Sequence, residues 1–179
     1  MSINWKNESN YKIYNRLVDL LSIFYNLFDR YLLCLGNKIK YLRKRGVKIG
    51  NNCSVITQPK NFGSEPWLIE IGNKVTIANG VVFINHDGAS RVFRNLIPSS
   101  SKYGNRFGTI LVGDNSFVGI NSVLLPGTKV GENVIVAAGS VVKGELNSNG
   151  VYGGVPAKLI CSLEHYMEKY RVEMIQIRS

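Results

Sequence analysis

Between residues 112 and 147 the chain reads VGDNSF VGINSV LLPGTK VGENVI VAAGSV VKGELN. An aliphatic residue returns every six positions, at Val112, Val118, Leu124, Val130, Val136 and Val142. Four residues after five of these stands a small or β-branched residue: Ser116, Ser122, Thr128, Val134 and Ser140. A period of six matches neither the 3.6-residue repeat of an amphipathic helix nor the two-residue alternation of a half-buried strand. It matches short strands joined by tight bends, with three six-residue edges closing one triangular coil. The aliphatic residue of each edge points inward, and the small residue sits near a corner, where a larger side chain collides. One coil cannot bury its own apolar edge, so the pattern predicts a stack of coils. The competing architecture is an ordinary β-sandwich with glycine-rich turns, against which six successive hits at one spacing speak. The same frame occurs earlier, at Ile71-Gly72, Ile77-Ala78 and Phe83, with a shorter echo at Ile49-Gly50 and Val55.

The flanks follow other rules. Residues 1–46 form an arm: a polar start, then a helix over about 11–35 in which Leu17, Leu20, Leu21, Phe24, Leu27, Phe28, Tyr31 and Leu32 recur at helical spacing. Gly36 is a stop signal, and a second short helix runs through Ile39, Leu42 and the basic KYLRKRG run. Asp19, Asn26, Asp29 and Arg30 interrupt the apolar stretch, which argues against a transmembrane span. The arm helix either covers the solenoid or lies on an anionic membrane surface through Arg43, Lys44 and Arg45. The solenoid is expected over 47–160, broken at 89–109 by an excursion without the frame. That excursion is either a functional loop or a surface insertion. From residue 148 the chain is expected to leave the coils, and residues 161–179 to form a terminal helix and tail. This helix caps the last coil, with Leu163, Tyr166, Met167 and Tyr170 as its packing face.

The formal charge of +10 alters little in this picture, because it is unevenly spread. Residues 1–48 hold ten Lys and Arg against three acids; residues 49–179 hold twelve against nine. The basicity belongs to the arm, which argues against nucleic acid as the partner of the repeat body. Three cysteines without metal-type spacing suit reduced thiols, and no secretory leader is visible, so a cytoplasmic location is expected, with peripheral membrane contact through the arm as an addition.

His86 is one of two histidines and stands in Asn85-His86-Asp87-Gly88, at the end of a coil and directly before the excursion. A neutral imidazole is suited to taking a proton from an alcohol. The repeats, the segment SEPWLIEIG (residues 64–72), the INHDG run (84–88) and GGVPAKLI (153–160) together resemble the hexapeptide-repeat acyltransferases, in particular sugar and polysaccharide O-acetyltransferases. The resemblance covers residues 46–165. It implies a mainly β fold, a left-handed parallel β-helix solenoid, and a homotrimer with sites between subunits. It implies acetyl-CoA as acyl donor, no metal, and a hydroxyl of a saccharide as acceptor, with His86 as general base in a direct transfer. It further implies that Asn85 either contacts the acceptor or simply makes the bend, and it implies donor contacts at Gly119, Ile120, Ala138 and Gly139 with Lys143 and Lys158 meeting the CoA phosphates. The Gly119-Ile120 region is the expected source of oxyanion-stabilising N–H groups.

Other roles stay open. Asp87 either orients His86, binds the acceptor or joins a loop salt bridge; side-chain alternation along a strand weighs against the first, and a corner relaxes that rule. Arg91 and Arg94, in the excursion, are candidates for acceptor binding. Glu65 and Trp67 either line the acceptor site or pack the first coils, with packing the favoured role for Trp67. Relatives often carry Thr-Lys where this chain has Lys143-Gly144, which loosens the assignment of Lys143. Two other function classes compete. A carbonic anhydrase on the same scaffold needs three histidines, and only His86 and His165 exist. A non-catalytic scaffold needs neither His86 nor the lysine of VPAK.

Overall fold

In the computed structural model the structure describes Arg16, Leu20, Leu21, residues 38–97 and residues 104–178. The predicted helix over 11–35 lies largely outside these residues. The chain divides into two compact units, Met1–Tyr41 and Leu42–Ser179. In the first, Leu20 and Leu21 are helical and exposed. Among the described residues no helix is long and apolar enough to cross a membrane.

The second unit is a parallel solenoid. Its strands fall into three sheets, which are the three faces of the coils. The first face holds β1 (Lys48–Ile49), β3 (Ile69–Ile71), β8 (Ile110–Val112), β11 (Lys129–Val130) and β14 (Glu145–Leu146). The second holds β2 (Ser54–Val55), β4 (Thr76–Ile77), β9 (Phe117–Val118), β12 (Ile135–Val136) and β15 (Gly150–Gly153), edged by β16 (Lys158–Ser162). The third holds β5 (Val82–Phe83), β10 (Val123–Leu124) and β13 (Val141–Val142). Lys129 pairs with Leu111 and Ile135 with Phe117, so one coil takes eighteen residues, three edges of six.

The sixfold aliphatic set forms the core. Val112, Val118, Leu124, Val130, Val136 and Val142 are all buried, and register stacks Leu124 between Phe83 and Val142. The small corner residues are buried too and have a polar duty. Ser116 Oγ donates to Gly131 O at 2.9 Å, Ser122 Oγ to Ala137 O at 3.1 Å and Thr128 Oγ1 to Val142 O at 3.0 Å. Each buried hydroxyl thereby finds a backbone carbonyl of the neighbouring coil as its partner.

A second ladder, not foreseen from the repeat, runs up the corner between the first two faces. Asn52, Asn115, Asn133 and Asn149 adopt positive φ there, a region Asn tolerates better than most residues. Asn115 Nδ2 donates to Asn133 Oδ1 at 2.7 Å, and Asn133 Nδ2 to Asn149 Oδ1 at 3.0 Å. Asp114 joins the same corner by accepting from the backbone N–H of Asn73 at 2.8 Å and from its side-chain amide at 3.0 Å. Those two bonds, the side-chain one foremost, and the neighbouring Lys74 hold the Asp114 carboxyl below its ordinary value of 3.8. A carboxyl whose folded value lies below its unfolded one stabilises the fold above the unfolded value, and loses that contribution as pH falls through the folded one. Asp114→Asn is therefore expected to lower the melting temperature at neutral pH and to converge with wild type in acid, which flattens the acid limb of the profile; an unaltered acid limb would contradict this.

Three departures from the sequence reading bear on function. The window VKGELN is not a sixth edge: Val142 ends β13 and Leu146 already lies in β14, with Gly144 at φ +79° making the turn. Leu146 therefore pairs with Val130 and Tyr152 with Val136, sixteen residues apart instead of eighteen. The chain also does not leave the solenoid at residue 148, because β15 completes a further edge before β16 turns back antiparallel to it. The excursion is not without regular structure: α2 (Ser90–Leu96) occupies its first part and β7 (Arg106–Phe107) its return.

At the N-terminal end, α1 (Lys38–Lys44) precedes the first coil. The Arg43 guanidinium donates to Ile49 O at 2.8 Å and Gly50 O at 2.7 Å, so it is committed to the first coil and not left free for lipid. At the other end, α3 (Leu163–Arg178) follows β16. Of its expected packing face, Leu163 and Tyr166 are half-buried while Met167 and Tyr170 are exposed.

Candidate active site

The site is assembled from two interruptions of the coils. The first lies between β2 and β3, where Lys48 pairs with Glu70, four residues beyond a regular eighteen-residue turn. Two 3-10 turns, Pro59–Phe62 and Pro66–Leu68, take up the extra length. Phe62 fixes this insertion by stacking on Phe83, ring centres 4.7 Å apart, both fully buried. Gly63 follows at φ +67°, where a Cβ would collide with the side-chain oxygen of Asn85. Only glycine satisfies both the backbone and the approach.

The insertion ends on Glu65. Its carboxylate reaches Nδ1 of His86 at 2.7 Å across twenty-one residues of sequence. Glu65 is mostly buried, its side chain 17% exposed against 35% for His86. A carboxylate only accepts, so Nδ1 carries the hydrogen, and Nε2 of the neutral ring keeps its lone pair for a proton.

The second interruption is the excursion. β6 (His86–Asp87) pairs antiparallel with β7, His86 opposite Phe107 and Asp87 opposite Arg106. The Phe107 ring leans against the imidazole at 5.7 Å between centres. His86 is thus held on one side by a carboxylate and on another by an aromatic ring. A cleft of about 390 Å³ opens beside it, lined by His86, Asp87, Arg106, Leu125, Pro126 and Lys143 among others.

The structure distributes the sequence candidates unevenly around this cleft. Asp87 lines it but does not orient His86: its Oδ1 accepts from the backbone N–H of Ala89 at 2.8 Å, an Asx-type turn at the start of the excursion. Glu65 takes the place proposed for Asp87. Asn85 is buried, and its Nδ2 donates to the carbonyl of Glu65 at 3.0 Å. It is a strut for the Glu65 segment and presents no surface to an acceptor. Arg91 and Arg94 lie on α2 and do not line the cleft; Arg106 does. Trp67, expected to pack, is 60% exposed.

Of the donor-binding candidates, Lys143 alone lines the same cleft as His86. Gly119 and Ile120 sit at the corner after β9, and Ala138 and Gly139 at the stacked corner after β12, tied by Gly139 N–H to Ile120 O at 2.8 Å. The His86 cleft belongs to the next corner, after β5, β10 and β13. The Gly119 N–H is engaged with Val136 O at 2.8 Å, which removes it as an oxyanion donor. Ile120, Ala138 and Gly139 are exposed, and Gly119 is held to glycine because a Cβ would stand 2.6 Å from Ala138 N. Lys158 opens β16 and is exposed. His165 lies away from His86, at a separate open hollow beside α3. Among the described residues no group of three His, Cys, Asp or Glu side chains gathers in a way that could hold a metal ion.

A family model described as bacterial transferase hexapeptide, six repeats, matches residues 109–144. Over 129 residues the chain is 47% identical to Protein CapG of Staphylococcus aureus, covering 72% of this chain and 73% of that one. The chain belongs to the hexapeptide-repeat acyltransferases. Within the family it is also 34% identical over 103 residues to the putative lipopolysaccharide biosynthesis O-acetyl transferase WbbJ of Escherichia coli K12, spanning about half of that protein. Among solved structures, the hexapeptide-repeat acetyltransferase VCA0836 of Vibrio cholerae O1, complexed with acetyl-CoA, superposes with a TM-score of 0.52 at 25% identity, covering 66% of this chain and 61% of that one. The mainly β, parallel architecture is therefore the family's own.

Proposed function

We propose that the protein transfers an acetyl group from acetyl-CoA to a hydroxyl of a saccharide, with His86 as general base. The observation that carries this reading is the 2.7 Å contact of Glu65 with Nδ1 of His86 at the wall of a cleft large enough for a sugar. Glu65 fixes the ring's orientation and tautomer, leaving Nε2 to take the acceptor's hydroxyl proton and to pass it to the departing thiolate. The Glu65 carboxylate then faces an imidazolium and stabilises it. No nucleophilic side chain is needed, because two substrates held together react as one. The Escherichia coli relative, named a putative lipopolysaccharide biosynthesis O-acetyl transferase, supports a saccharide acceptor, and the acetyl-CoA complex of the Vibrio relative supports the donor.

Acetyl-CoA supplies an activated thioester. The chain's fit to it rests on the exposed corner of Ile120, Ala138 and Gly139, where small side chains leave a strip for an apolar arm, and on the exposed Lys158 as a phosphate partner. That corner and the His86 cleft are different corners of one coil. The reading therefore includes left-handed coils assembled as a homotrimer, so that one copy's donor corner faces the next copy's His86. Localisation on the cytoplasmic side, with membrane contact through the arm, accords with the arm's basic charge.

Calorimetric titration of the full chain with acetyl-CoA tests the donor half. Saturable binding is expected, weakened about tenfold by Lys158→Ala in keeping with the loss of one charge-assisted contact. Absence of binding by folded protein would overturn the reading.

A further inference from the structure

The cleft beside His86 holds more positive charge than the transfer of an acetyl group to a neutral sugar calls for. Arg106 and Lys143 both line it, and neither side chain makes a hydrogen bond or ion pair with any described residue. Of the acids at hand, Glu65 faces His86, and Asp87 lines the cleft opposite Arg106 with its Oδ1 turned to the backbone N–H of Ala89. The two cations reach the cleft by different routes. Arg106 arrives because the excursion returns as β7 against β6, placing it opposite Asp87. Lys143 follows Val142 directly after β13, at the position that Leu125, also in the lining, holds one coil earlier. Against the single carboxylate of Asp87 in the same lining, the two cations leave the cleft with a net positive charge, which favours an anion there. An arginine fork and a lysine point charge together suit a carboxylate or a phosphate.

Building on the acyltransferase reading above, we propose that the acceptor is an anionic saccharide, whose acidic group Arg106 and Lys143 hold while one of its hydroxyls is presented to His86. A cleft of about 390 Å³ admits one such sugar unit. The excursion is then a specificity element, acting through Arg106 and not through Arg91 or Arg94.

The test compares matched acceptors with the full chain and acetyl-CoA: methyl glucuronide against methyl glucoside, methyl galacturonide against methyl galactoside, and glucose 6-phosphate against glucose. In the wild type the acidic member of a pair is expected to have a kcat/KM about tenfold to a hundredfold higher, the size of one or two charge-assisted contacts. Preference for the uronides identifies a carboxylate, and preference for the sugar phosphate a phosphate. Arg106→Gln collapses the ratio, and Arg106→Lys retains part of it. Transfer without acidic preference, or an Arg106→Gln variant that raises KM for acetyl-CoA while keeping the ratio, overturns the proposal and assigns the two cations to the donor. Absence of transfer to any acceptor sinks the acyltransferase reading itself. Direct calorimetry with the uronides then decides, and binding that is absent or indifferent to Arg106→Gln refutes the anionic site.

Discussion

His86→Ala is expected to lower the acceptor-dependent release of CoA about a hundredfold to ten-thousandfold, the range that a positioned general base supplies. The loss falls on kcat, because the imidazole touches the acceptor hydroxyl and not the CoA body, so acetyl-CoA binding by calorimetry stays within about twofold of wild type. The fold should persist. His86 is one-third exposed and lies in a two-residue strand at the rim of the coils, outside the stacked core of Phe83, Leu124 and Val142. An equal loss of acetyl-CoA affinity, or activity within about threefold of wild type, would remove His86 from the chemistry.

The second large effect concerns Glu65. Glu65→Gln keeps the length and one acceptor oxygen but removes the charge that faces the imidazolium. It also allows the amide NH₂ to face Nδ1 and so select the wrong tautomer. A fall in kcat of about tenfold to a thousandfold is expected, with KM for acetyl-CoA unchanged. Glu65→Asp keeps the charge and draws it back by one methylene, so it is expected to fall between Gln and wild type. A purely structural role for Glu65 predicts another pattern, with Gln and Asp alike lowering the melting temperature and kcat following it. Asn85→Ala offers a further separation. It removes the bond to the Glu65 carbonyl without touching either reacting group, and should reproduce a milder version of the Glu65 defect.

The solenoid was legible because each inward position has one chemistry at one spacing. Val118 and Val136 perform the same task one coil apart, and the sequence repeats wherever the task repeats. The frame misleads at Val142, where the next inward residue, Leu146, comes after four positions; a periodic reading has no means of sensing a corner shortened by two residues. His86 was legible from its place at the end of a coil before the excursion. Its partner was not, because Glu65 and His86 are twenty-one residues apart and meet only through the Phe62–Phe83 stack and the Gly63–Asn85 approach. Arg106 was hidden for a similar reason. The register of β6 with β7 depends on how a long excursion returns, and Arg91 and Arg94, nearer in sequence to His86, were the more visible choice. The asparagine ladder did leave a signal: Asn115 and Asn133 recur eighteen residues apart at the same point of successive coils.

The most direct test of the central claim follows a labelled acetyl group from acetyl-CoA, with and without a saccharide acceptor. The account predicts that, with acceptor, label appears on a sugar hydroxyl in step with free CoA thiol, and that without acceptor none becomes bound to the protein. Label retained on the protein in the absence of acceptor would contradict direct transfer through His86 and point to a covalent intermediate.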